Sequence, residues 1–182
     1  MRTSLVDKAA VERLLLLSSA IRAGLIDALQ RDGAHSAADV AAIAGADERA
    51  TGIVLEALAA EEVVERLEAH GSVLYRLSEV GRAHLVDEGP ELERYQLLHL
   101  VNRVRGWLEL PEVIVSGHPL PKDPVKRDTR TMVSAMGERD PEIVEEVVER
   151  CLAYAGSIRT MVDIGGAVGH VARQFSRCGV RA

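Results

Sequence analysis

Residues 160–172, Thr-Met-Val-Asp-Ile-Gly-Gly-Ala-Val-Gly-His-Val-Ala, constrain this chain more than any other stretch. A short apolar run, the glycines at 165, 166 and 169, and a resumed apolar pattern together read as strand, sharp turn and helix start. Glycine lets the backbone turn and lets a ligand approach with no Cβ in the way, and the helix behind it presents unpaired N–H groups. Asp163 stands just before the turn. A carboxylate there repels phosphate and favours a cationic or amino-bearing ligand. The loop is therefore unlike a dinucleotide or triphosphate site. A lone parallel-type strand cannot satisfy its own backbone or bury both faces, so the segment expects further strands around it.

The front half follows a different pattern. Leu14 to Leu17, Ile21, Leu25, Ile26 and Leu29 recur at helical spacing, and Gly33 ends the run. Ser36 followed by Asp39 reads as a capping box, opening a helix through Val40, Ile43 and Ala44. Gly45-Ala46-Asp47 interrupts it, and Ile53, Val54, Leu55 and Leu58 mark the next helix. Val63–Leu67 and Val73–Leu77 are β-prone and flank the turn-forming His70-Gly71-Ser72, so a hairpin follows the helix-turn-helix. That order is a winged helix, with Ser78–Arg82 expected as the turn closing the wing.

Pro90 to Leu110 is predicted helical, ended or kinked by Pro111. Pro119, Pro121 and Pro124 then break the pattern, giving an expected division into 1–115, a Pro-rich linker 116–126, and 127–182. Beyond it, Thr131 to Met136 and Pro141 to Tyr154 read as helices. The second has Pro141 in its first turn and Ile143, Val144, Val147, Val148 and Leu152 as its buried stripe.

Charge and composition narrow the function. The net charge is −6 and aromatic residues make up 3%, so there is neither a general cationic field for phosphate nor a stacking surface for single strands. The second helix of the helix-turn-helix, Asp47 to Ala60, sets Arg49 against Asp47, Glu48 and Glu56, a poor recognition helix for DNA. Its expected role is dimerisation or packing. The histidines at 35, 70, 84, 99, 118 and 170 have no metal-ligand spacing, and no metal is expected. His170 reads as a surface residue at a helix start. Cys151 and Cys178 lack CxxC spacing and read as two buried thiols. No apolar run reaches membrane-spanning length, and the expected location is the cytoplasm. The apolar surplus of Leu14–Leu29 and of the helix after Pro90 calls for a partner, most simply a second copy in a homodimer.

Val162-Asp-Ile-Gly-Gly-Ala-Val-Gly169 resembles the motif V-D-[VI]-G-G-G-x-G of class I S-adenosylmethionine-dependent methyltransferases, specifically small-molecule O-methyltransferases with an N-terminal winged-helix dimerisation domain. The resemblance extends along essentially the whole chain. The winged helix, Trp107 ahead of Gly117-His118-Pro119, the Met132–Met136 helix and the glycine loop come in that family's order. It implies a mainly α fold class: the dimerisation domain, a helical linker, and the first strand-loop-helix of a Rossmann-like α/β domain.

It also implies S-adenosylmethionine as cofactor. Gly165, Gly166 and Gly169 would shape the loop around its amino-acid part, Asp163 would meet its ammonium, and Met136 would line the pocket. Ala167 departs from the motif's glycine, placing a methyl where backbone and cofactor come closest. The family's later elements, including the substrate pocket and general-base histidine, have no counterpart, so no catalytic residue is assigned. The expectation is an N-terminal portion of a methyltransferase acting on a small-molecule hydroxyl. A non-catalytic dimerisation or ligand-sensing module is the alternative, and a winged-helix DNA-binding regulator the third reading.

Overall fold

The computed structural model describes residues 6–69, 71–89, 92–119, 129–137 and 141–181. They fall into two compact units, residues 1–120 and 121–182.

In the first unit local capping sets most helix starts. Asp7 caps α1 (Lys8–Arg22), its carboxylate accepting from the Ala10 N–H at 3.1 Å. Gly24, at φ +75°, turns the chain into the short α2 (Leu25–Leu29). The predicted capping box is present: the Ser36 hydroxyl accepts from the Asp39 N–H at 3.1 Å, and the Asp39 carboxylate accepts from the Ser36 N–H, opening α3 (Ala37–Ala44). Asp47 caps α4 (Glu48–Ala60). The hairpin follows as β1 (Val64–Ala69) and β2 (Ser72–Leu77), antiparallel from Val64 opposite Leu77 to Ala69 opposite Ser72. His70, in its turn, lies outside the described residues. The other edge of β2 is also paired, through reciprocal 2.8 Å bonds between His35 and Tyr75.

The core is aliphatic, as the low aromatic content requires. Ile26, Leu29, Val40, Leu55, Leu58 and Leu77 are fully buried, with Tyr75 beside them. Each such side chain contributes roughly 1.5–3 kcal/mol of transfer free energy.

The expected closing turn at Ser78–Arg82 is instead the start of a helix, α5 (Glu79–Leu85). The reason is Ser78, whose buried hydroxyl accepts from the Gly81 N–H at 3.0 Å and lies 2.7 Å from the Glu62 carbonyl oxygen. One side chain thus caps a helix and fastens it to the end of α4. The helix predicted over 90–110, of which positions 90 and 91 lie outside the described residues, is shorter. α6 (Arg94–Leu108) stops at Glu109, and Pro111 lies in the first turn of α7 (Leu110–Ser116), where its missing N–H costs no helical bond. Arg94 grips Asp27 with both guanidinium nitrogens, at 2.6 and 3.0 Å, and ties α6 to α2. Ser116, expected in the linker, ends α7, and positions 120–126 of that linker lie outside the described residues.

The second unit contains α8 (Thr129–Gly137), α9 (Pro141–Ala155) and α10 (His170–Arg177). Val148, Phe175 and Val180 form its small core, with Leu152, Ile158, Met161 and Val171 against them. The α9 stripe is half realised: Val144 and Val148 are buried, while Ile143 and Val147 are exposed. The expected strand at Met161–Ile164 is also corrected. Among the described residues only one parallel bridge forms here, between Thr160 and Arg181, held by Met161 N–H to the Arg181 carbonyl at 2.9 Å and Arg181 N–H to the Arg159 carbonyl at 3.0 Å. With no further strand neighbour among the described residues, Val162 and Ile164 stay 84% and 94% exposed. Both cysteines, expected buried, are exposed: Cys151 on α9 and Cys178 just past α10.

Candidate functional site

The glycine loop begins where the Thr160–Arg181 pairing ends. Gly165, Ala167 and Gly169 have φ of +78°, +47° and +74°, so every second residue is left-handed and the chain coils tightly. The coil closes with a 2.7 Å bond from the Gly169 N–H to the Gly166 carbonyl, and α10 starts on the next residue. Glycine meets this demand freely, whereas Ala167 holds a conformation costing L-residues roughly 1–2 kcal/mol.

Asp163 folds back over this coil. Its carboxylate carbon lies 2.5 Å from where a Cβ on Gly166 would stand. Asp163 Oδ2 is buried and has no hydrogen-bond partner. A buried carboxylate oxygen left without a donor costs roughly 1–3 kcal/mol or more, and an ammonium or N–H group from a ligand would satisfy it. The chain here fits an amino-bearing group rather than an anion.

Five of the six residues expected at the site line one cavity: Met136 from α8, and Asp163, Gly165, Gly166 and Ala167 from the loop. The sixth, Gly169, does not line it but sets the start of α10. At about 240 Å³ the cavity lies below the roughly 300–1,000 Å³ of pockets enclosing a whole ligand, and suits one part of one.

Sequence reasoning missed the rest of the lining. Val144, Val168 and Val171 supply apolar wall, and His170, expected at the surface, is half-buried in it. His170 Nε2 lies 3.1 Å from the Gly137 carbonyl oxygen, and Nδ1 lies 3.0 Å from an Arg173 guanidinium nitrogen. The spacing of His170 and Arg173, one helical turn apart, was the available signal.

The first unit has its own polar cluster. The Tyr75 hydroxyl donates to Glu56 at 2.6 Å, and Arg66 donates to both Glu56 and Glu68. Burial, then the bond to Glu56, pushes the Tyr75 phenol up to about 12, and the tyrosine and arginine bonds hold Glu56 below its usual range. This cluster fastens α4 to the hairpin. It leaves the acidic character of α4 intact, which disfavours a phosphate partner.

Residues 13–87 match the family described as the O-methyltransferase dimerisation domain. No curated protein matches the chain in sequence. Among solved structures, an O-methyltransferase family protein from Burkholderia thailandensis is similar at TM-score 0.72 and 24% identity, over 97% of this chain and 54% of that one. Mitomycin 7-O-methyltransferase is similar at TM-score 0.69 and 20% identity, over 94% of this chain and 53% of that one. Human N-acetylserotonin methyltransferase, solved with S-adenosylmethionine, is similar at TM-score 0.63 and 20% identity, over 98% of this chain and 59% of that one. The chain thus spans just over half the length of the structures it resembles. Among the described residues no helix is long and apolar enough to cross a membrane. Residues 13–87 thus match the O-methyltransferase dimerisation domain, and nearly the whole chain is similar in fold to just over half of each of these solved structures.

Proposed function

We propose that this chain is the N-terminal portion of an S-adenosylmethionine-dependent methyltransferase acting on a hydroxyl of a small molecule. The observation that carries the reading is the Asp163 carboxylate. It is laid over Gly166 in a cavity framed by Gly165, Ala167 and Met136, with one buried oxygen lacking a donor. In this reading Asp163 receives the cofactor's ammonium, Gly165 and Gly166 admit its amino-acid part, Gly169 aims the first N–H groups of α10, and Met136 forms the apolar wall. The bound cofactor supplies a methyl group on a sulfonium centre. The residues here bind and orient it, and proton removal from the acceptor belongs to sequence outside this chain.

The first unit is read as a winged-helix module, through residue 115, that pairs two copies in a cytoplasmic homodimer. The linker 116–126 joins it to the cofactor domain beginning at 127. Support comes from the dimerisation-family match and from apolar residues left exposed on α6 and α7, among them Trp107, Leu108, Ile114 and Val115.

Titration calorimetry with S-adenosylmethionine and S-adenosylhomocysteine tests the cofactor assignment. Binding by the chain that weakens about tenfold or more in Asp163→Ala supports it, and binding indifferent to that substitution overturns the role of Asp163. Light scattering tests the assembly: the expected mass is twice 19.7 kDa.

A further inference from the structure

We propose that His170 and Arg173 form a latch that fixes the glycine loop against the end of α8 and so presets the cavity wall. They act as positioning residues. The ligand side of this inference rests on the cofactor reading above; the latch itself rests on geometry alone.

An arginine guanidinium only donates hydrogen bonds. With an Arg173 nitrogen 3.0 Å from His170 Nδ1, that ring nitrogen carries the lone pair. The proton of the neutral ring is then on Nε2, which donates to the Gly137 carbonyl at 3.1 Å. The other Arg173 nitrogen donates to the Val168 carbonyl at 2.7 Å. Two side chains one helical turn apart on α10 thereby hold a loop carbonyl and the last residue of α8 at once. Gly137 adjoins Met136, which lines the cavity that Asp163 and His170 also line. The distance from Met136 to the loop is consequently set by an imidazole with a single allowed tautomer. Such supporting contacts decide whether a binding constellation is held tightly enough to work.

Nitrogen-15 NMR of the imidazole in the intact chain is the first test. A dominant Nε2–H tautomer is expected, and a dominant Nδ1–H tautomer overturns the latch. The second test compares His170→Ala with His170→Gln, whose amide keeps one donor and one acceptor. Amide exchange at Gly169 should rise about tenfold in His170→Ala and return to within about twofold in His170→Gln. Affinity for S-adenosylhomocysteine should follow the same order, with about a tenfold loss and then recovery. Unchanged exchange and unchanged affinity in His170→Ala would sink the proposal. If the wild-type chain does not bind S-adenosylhomocysteine, the cofactor reading fails, and the tautomer and exchange results alone decide the latch.

Discussion

The carboxylate of Asp163 occupies the space that a side chain on Gly166 would need. The two residues are three apart in sequence, yet each defines the other: the glycine makes room for the acid, and the acid closes the coil of the loop. Gly166→Ala should therefore displace Asp163 and, under the proposed cofactor assignment, weaken S-adenosylmethionine binding about tenfold or more, with the melting of the first unit unchanged. Calorimetric titration alongside thermal unfolding followed at Trp107 separates the two effects.

Ala167→Gly should stabilise the second unit. Relief of the φ of +47° returns roughly 1–2 kcal/mol, and the added freedom of glycine in the unfolded chain takes back about 0.4–1 kcal/mol. The balance is a gain of up to about 1.6 kcal/mol, centred near about 0.8, visible as slower amide exchange across α10. Faster exchange would mean that the alanine is unstrained where it sits.

Thr51 is buried on α4, and its hydroxyl has no hydrogen-bond partner. Thr51→Val keeps the shape, matches the helix propensity and removes the unsatisfied group, so stability should rise by about 1 kcal/mol. The readout is the urea midpoint at unchanged slope.

Ser78 has the opposite sign. Its hydroxyl caps α5 and also reaches the end of α4, so Ser78→Ala should cost about 1–2 kcal/mol in the same urea experiment. A loss of only a few tenths would show that water replaces the cap.

The Tyr75 phenol ionises at about 12 in the folded chain, against 10.0 for the free group. The unfolded state therefore loses its proton first as pH rises. The stability that the raised value represents is complete below pH 10 and drains away between 10 and 12. Tyr75→Phe should abolish that component of the alkaline loss, measured as the urea midpoint against pH.

Legibility from sequence followed the range of the contacts. The Ser36–Asp39 box, the hairpin between Val64 and Leu77, and Pro141 at a helix start are decided within a few residues, and all three are present. The glycine turn was legible because turn chemistry is local as well, whereas a place for Met136 beside it rested on the family resemblance and not on any local pattern. What failed depended on distant partners. Met161–Ile164 has strand character, but a strand exists only through its neighbours, and among the described residues the pairing stops at Thr160 and the Met161 N–H. Ile143 and Val147 share the α9 stripe yet meet no core. Ser78 was read by position in a wing, while the hydroxyl's reach to Glu62 made it a helix cap. His170 was read as surface because Gly137, its partner, lies 33 residues away.

The single rung between Thr160 and Arg181 closes the segment it bounds, glycine loop and α10 included, into a ring. Loop and helix are strung on that ring, so neither can open fully without straining the rung. A ligand that binds only the closed form slows the opening of every amide in the same cooperative unit. The amides of Met161 and Arg181, which touch nothing in the cavity, thereby become reporters of whether it is filled.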